Sequence, residues 1–283
     1  MDFQSIALPT ELRHHSNGRQ MYKNISFLKT NHHTFCNFDH IFTMNLVIDI
    51  GNTFVKLAVF EGDNLLELAQ EEHLSSSIID VFFSNYKIKK GIFSSVREFG
   101  EAETLLKKYN FLKLTHLTPL PLQNHYKTPE TLGVDRVAAV IGAKSSFENT
   151  NLLVIDIGTC VTYDFISSKN EYFGGAIAPG FEMRFKALNH FTGKLPLINF
   201  NKKELKLIGD TTESSIVSGV YNGMKNEIEG TINNYISQYE TLKIVVTGGD
   251  INLFDLEPKN RIFADEFLVL KGLNEILNYN ENQ

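Results

Sequence analysis

Two cysteines in 283 residues, Cys36 and Cys160, in unlike contexts, build neither a disulfide framework nor a zinc site. That scarcity fits a reducing cytoplasm as the place of work. The chain also has no uninterrupted apolar run of about eighteen residues, so nothing reads as a membrane span. A basic excess is missing too. With 27 Lys and Arg against 33 Asp and Glu, the formal charge of -6 argues against nucleic acid as the main partner. An anionic nucleotide held by backbone amides and a metal is still permitted. Proline is sparse (7 residues), and 42% hydrophobic with 21% charged residues describes an ordinary globular chain. Its length suffices for two modest lobes around one cleft.

The first 43 residues stand apart. They hold five of the nine histidines (His14, His15, His32, His33 and His40) and show no strand or helix periodicity. The histidine spacing matches no metal-ligand pattern, and the composition points to a disordered extension or a start assigned upstream of a true first residue at Met44.

What the chain does contain is one device written twice. Residues 46–56 read LVIDIGNTFVK, and residues 152–162 read LVIDIGTCVT after a further leucine. Each is an apolar, β-branched run that ends in Asp and turns through glycine and threonine. A buried carboxylate is costly unless it meets a cation or hydrogen-bond donors. A single copy reads equally as hairpin turn chemistry. Two copies about a hundred residues apart point to two similar halves facing one nucleotide, held at Asp49, Asn52, Thr53 and Lys56 and again at Asp156, Thr159 and Thr162.

Alternation predicts the surrounding architecture. MNLVIDI, FVKLAVFEG and NLLELAQE form a three-strand meander, followed by a helix over Ser76–Tyr86, a strand at Gly91–Ser95, a helix over Glu101–Tyr109 and a strand at Phe111–Leu114. A Pro-punctuated loop, THLTPLPLQNHYKTPETLG, leads to a helix carrying Asp135 and Arg136. LLVIDI, VTYDFIS and EYFGGAIAP then repeat the meander, before a long helix over Thr211–Tyr239, the strand KIVVTGGD and a closing helix over Glu266–Tyr279. The expected class is mixed α/β, with an N-terminal half over 44–148 and a C-terminal half over 149–283.

Several segments carry two readings. Asp135 and Arg136 suit a general base beside an anion-binding cation, and equally a first-turn carboxylate with a surface ion pair. Gly174 to Gly180 suits close approach to a ligand or a plain turn. Thr211 and Thr212 suit a helix cap or a substrate contact. Thr247 to Asp250 suits an adenine or ribose platform. Cys160, without an activating base in view, reads as a small packed residue.

Together these segments resemble type III pantothenate kinases, a family of the acetate-and-sugar-kinase, Hsp70 and actin superfamily. Asp49-Ile-Gly-Asn-Thr53 is shared across the superfamily. Gly133-Val-Asp135-Arg136 combined with Gly174-Gly-Ala-Ile-Ala-Pro-Gly180 is far more specific, and the likeness spans 44–283. The resemblance implies two ribonuclease-H-like, actin-like ATPase halves with mixed five-stranded sheets around a nucleotide cleft. It implies ATP at Asp49, Ile50, Gly51, Asn52, Thr53, Phe54, Val55, Lys56 and Thr159. Pantothenate would meet Tyr126, Gly133, Val134, Asp135, Arg136 and Thr212, with Asp135 as proton acceptor. Asp156 would hold a monovalent cation (potassium or ammonium) beside ATP with Mg2+. A homodimer is implied, and the expected reaction forms 4'-phosphopantothenate, the first step of coenzyme A biosynthesis. The alternative is a regulator of the Bvg accessory factor type that keeps the cleft without kinase activity. Two departures stand out: Cys160 replaces a common alanine, and no tryptophan follows Arg136.

Overall fold

The computed structural model describes residues 44–97, 100–202, 205–257 and 261–281. The extension expected over residues 1–43 lies outside them.

The first sheet grows from β1 (Met44–Ile50), β2 (Val55–Glu61) and β3 (Asn64–Glu71), joined as antiparallel neighbours. Helix α1 (Ser76–Asn85) starts where the Ser75 side chain accepts from the Ile78 amide. β4 (Ile88–Ser95) then returns parallel to β1, and α2 (Gly100–Lys108) leads to the short β5 (Leu112–Lys113). The resulting order is β3-β2-β1-β4-β5. After β6 (Gln123–Asn124), a 3-10 turn at Pro129–Thr131 and α3 (Val134–Ser146), the second sheet repeats the plan. Its strands are β7 (Asn151–Ile157), β8 (Cys160–Ile166) and β9 (Glu171–Pro179), then, after α4 (Phe181–His190) and α5 (Thr212–Gln238), β10 (Leu242–Thr247) and β11 (Ile262–Ala264). Helix α6 (Leu268–Glu281) follows.

The second sheet has six strands rather than the expected five, in the order β11-β10-β7-β8-β9-β6. The sixth comes from the Pro-rich loop. Past its last closely spaced proline that loop recovers its amide donors, and Gln123 and His125 donate to the carbonyls of Asn170 and Tyr172 at 2.8 and 2.9 Å. Only two residues pair, too few to show alternation.

Side-chain alternation divides each sheet into an outer and an inner face. Leu46, Ile48 and Ile50 pack outward with Ile79, Phe82 and Leu106 of α1 and α2. Leu153, Ile155 and Ile157 pack outward with Phe181, Phe185, Ile216, Met224 and Ile228 of α4 and α5. Val47, Leu152 and Val154 point inward, sharing one core with Val137, Val140 and Ile141 of α3 and with Leu273 and Ile276 of α6. The two helices cross almost backbone to backbone: a Cβ on Gly272 would lie 1.8 Å from the Ala138 carbonyl oxygen. Helix α6 also grips the first sheet. Asn45 Nδ2 donates to Asn274 Oδ1 at 2.8 Å, and Asn274 Nδ2 donates to the Gly62 carbonyl at 2.9 Å.

Alternation then fixes what matters chemically. Asp49 shares the inner face with Val47, and Asp156 shares it with Val154, so both carboxylates reach the ends of their strands on the side where α3 begins. Among the described residues no helix is long and apolar enough to cross a membrane.

Candidate active site

Asp49 stands opposite Lys56 across the β1–β2 hairpin and beside Ser94 on β4, whose hydroxyl donates to Asp49 Oδ1 at 2.7 Å. Asp156 has the matching position on β7, opposite Thr162 on β8 and Thr247 on β10. The turns that follow are exposed at their tips. Asn52, Thr53 and Phe54 are open to solvent after β1, and Thr159 is open after β7. Ile50 and Val55 are buried and anchor the first turn, while the Gly51 amide closes it onto the Phe54 carbonyl at 3.0 Å. In the second turn the Gly158 amide donates to the Cys160 carbonyl at 3.0 Å.

A third carboxylate arrives from α3. Gly133 is the residue before that helix, Val134 its first, and Asp135 lies in its first turn with Oδ1 accepting from the Arg136 amide at 2.9 Å. Burial pushes the Asp135 carboxyl above the ordinary carboxylate range, and the neighbouring charge of Asp164 adds to that. Asp49 is raised as well, first by burial and then by the charge of Asp135. Asp156 goes up to about 7, through burial and then the charge of Asp135, with Asp49 and Asp164 contributing and Lys56 opposing. The charge of Asp135 thus acts on both strand-end carboxylates. Lys56 is the cation that relieves Asp49 and Asp156.

A divalent cation fits such a set. Among the described residues no three His, Cys, Asp or Glu side chains approach closely enough to enclose an ion unaided. Magnesium does not need such a cage, since it keeps several waters and takes one or two carboxylates plus phosphate oxygens.

Arg136 does not lie at the surface. Its side chain is 6% exposed, with Nε donating to Asp164 Oδ1 and Oδ2 at 3.1 Å each and Nη2 to Oδ1 at 2.7 Å. The surface ion pair considered for this segment is therefore a buried one, and its carboxylate is Asp164. Tyr126 lies beside it, the ring centroid 5.9 Å from the guanidinium carbon.

Thr211 is the cap of α5: its hydroxyl accepts from the Ser214 amide at 3.1 Å, and Ser214 Oγ accepts from the Thr211 amide at 2.9 Å. Thr211 and Thr212 both line an open groove with Pro179, Arg184, Phe191 and Ile216. That groove does not include Tyr126, Asp135 or Arg136 in its walls. At the remaining segment, the Asp250 amide donates to the Ile157 carbonyl at 3.0 Å, folding the turn after β10 against the end of β7. Burial, then the charge of Glu182, raises Asp250.

Three contributors escaped sequence reading: Ser94, Asp164 and Tyr172. Asp164 carried a usable signal, because V-T-Y-D-F-I puts a charge in the middle of a strand between two buried aromatic residues. Ser94 carried none, since its value depends on the parallel pairing of β4 with β1.

Two sheets offering carboxylates at matched strand ends, with a third carboxylate on the helix between them, suit the transfer of a phosphoryl group. The chain belongs to the type III pantothenate kinase family, whose sequence pattern matches residues 45–234. The type III pantothenate kinase of Christiangramia forsetii is 48% identical over 246 residues, covering 85% of this chain and 100% of that protein. That of Phocaeicola vulgatus is 46% identical over 243 residues, covering 84% and 99%. Among solved structures, a Campylobacter jejuni protein described as a Baf family transcriptional activator superposes with a TM-score of 0.53 at 26% identity, over 84% of this chain and 100% of that one. A Listeria monocytogenes protein described as an N-acetylmannosamine kinase shares the fold, with a TM-score of 0.51 at 15% identity over 85% and 100%.

Proposed function

We propose that this protein transfers the γ-phosphate of ATP to pantothenate, giving 4'-phosphopantothenate at the entry to coenzyme A biosynthesis. The observation that carries the reading is Asp135, a half-buried carboxylate of raised pKa on the first turn of α3, beside the strand-end pair Asp49 and Asp156. In the mechanism Asp135 accepts the proton of the primary hydroxyl, whose oxygen attacks the γ-phosphorus in line as the bridging oxygen leaves with ADP. A raised pKa makes the carboxylate a stronger base. Phosphoryl transfer asks chiefly for positioning and charge neutralisation. Lys56 and the exposed polar arms of Asn52, Thr53 and Thr159 serve the phosphates. Asp49 and Asp156 hold cations, Mg2+ with the nucleotide and a monovalent ion at Asp156, which when bound neutralise phosphate charge.

The halves 44–148 and 149–283 act as two lobes about this cleft. A homodimer belongs to the same reading, as the family resemblance implies.

The description of the Campylobacter neighbour matches the rival reading, a regulator that keeps the cleft. Tyr126, Asp135 and Arg136 favour the kinase, because a nucleotide sensor has no use for an acceptor site. The test is ADP release with and without pantothenate, in potassium and in its absence. Turnover that requires pantothenate supports the kinase, and nucleotide binding with no acceptor-dependent turnover contradicts it.

A further inference from the structure

Asp164 is a carboxylate at the middle of β8, 1% exposed, and it is engaged from two sides. Arg136 gives it the two-pronged contact described above. From the next strand the hydroxyl of Tyr172, itself fully buried, donates to Oδ1 at 2.6 Å. The ring of Tyr172 continues the chain of contacts, stacking on Tyr126 with centroids 6.4 Å apart at 27°. Gly174 completes it. Its φ is +89°, and Tyr126 ring carbons lie 2.7 Å from where a Cβ would stand, so only glycine lets the ring settle on β9.

Stability alone is a poor reason for this arrangement. Removing two charges from water costs about as much as a buried pair returns, and well-packed apolar residues often serve as well or better. What the pair supplies is fixed geometry. The guanidinium of Arg136 is planar with a rigid fork, and a carboxylate that takes Nε and Nη2 leaves its plane no freedom to turn. Arg136 follows Asp135 directly, and its amide donates to the Asp135 carboxylate. Holding Arg136 therefore holds the first turn of α3 and the carboxylate on it.

We propose that Asp164 is a positioning residue of the acceptor site: through Arg136 it fixes the orientation of Asp135, and through Tyr172 it fixes the ring of Tyr126 that walls the pocket. This rests on the assignment of Asp135 and Tyr126 to the acceptor site. It touches neither substrate nor nucleotide. Its loss falls on the acceptor and on turnover, and leaves ATP binding as it was.

The test uses the full chain as wild type, Asp164→Asn, Tyr172→Phe and Asp135→Asn, with kcat and both KM values measured beside thermal melting. Asp164→Asn keeps the size and one acceptor oxygen while removing the charge. The expected result is a folded enzyme whose KM for pantothenate rises about tenfold or more, and whose kcat falls on the order of 10²-fold from misplacement of the base. KM for ATP stays within about twofold. Tyr172→Phe removes one hydrogen bond and leaves the ion pair, so its KM for pantothenate rises about fivefold. A folded Asp164→Asn with unchanged pantothenate kinetics, or with both KM values raised alike, overturns the proposal. If Asp164→Asn does not fold, Tyr172→Phe decides on the same criterion. Asp135→Asn separates the two levels: wild-type turnover there overturns the assignment of the base, and inactivity there with an unaffected Asp164→Asn overturns the positioning role alone.

Discussion

Asp49 and Asp156 occupy equivalent stations in two sheets: each closes a central strand between an antiparallel hairpin partner and a parallel strand. Lys56 and Ser94 flank the first, and Thr162 and Thr247 flank the second. The surroundings differ in charge. A lysine stands across from Asp49, while only hydroxyls stand across from Asp156, and there burial lifts the carboxyl to about 7. The site is thus a doubled frame with unequal contents.

This asymmetry has a pH signature. An unfolded aspartate titrates near the ordinary value of 3.8, and folded Asp156 near 7, so between those values the folded state binds more protons. The ligand-free protein therefore loses stability as pH rises through that window. Asp49 and Asp135 act in the same direction. Chemical denaturation across the window checks this, and Asp156→Asn is expected to flatten the slope. An equal slope in the variant would count against the assignment. Replacing choline chloride by potassium chloride at equal ionic strength is expected to flatten the slope in the wild type.

Lys56 lowers both Asp49 and Asp156, and on the proposed reading it also serves the phosphates. Lys56→Met is expected to raise KM for ATP about tenfold, the worth of one charge-assisted hydrogen bond, with KM for pantothenate changed less than about threefold. Steady-state kinetics at saturating second substrate checks it, and an unaffected ATP KM contradicts the role.

The crossing of α3 and α6 tolerates no extra atom. Gly272→Ala sets a methyl 1.8 Å from the Ala138 carbonyl oxygen and is expected to cost about 3 kcal/mol or more. Asn274→Ala removes one of the two acceptors of the Asn45 amide, which keeps Asn278 Oδ1 at 2.9 Å, together with the donor to the Gly62 carbonyl, and is expected to cost about 1–2 kcal/mol. Melting curves of both variants give the check.

Both relatives align over their whole or nearly whole length while covering 85% and 84% of this chain, and the family pattern begins at residue 45. A chain beginning at Met44 is therefore expected to keep the kcat and both KM values of the full protein. A loss of more than about tenfold in kcat/KM would assign residues 1–43 a catalytic duty.

Most of the frame was legible in the sequence because its signals are local. Alternating apolar runs marked β1, β2, β7 and β8, and the doubled Asp-Ile-Gly marked where the strands deliver carboxylates. The sixth strand was not legible, because β6 has two residues and exists only by borrowing the edge of β9. The fate of Arg136 was hidden for a related reason. Its partner lies 28 positions away, and pairing them takes the packing of α3 on the inner face of the second sheet. Thr211 as the cap of α5 shows only in its reciprocal bonds with Ser214, and both Thr211 and Thr212 line the same groove.

The central claim is that Asp135 accepts the proton of the attacking hydroxyl. Its most direct test is pantothenate-dependent ADP release by Asp135→Asn beside wild type, with both substrates saturating and ATP binding measured separately. A general base contributes about 10²–10⁴-fold, so kcat is expected to fall by that much while ATP binds as before. Turnover at the wild-type rate by a folded Asp135→Asn contradicts the account.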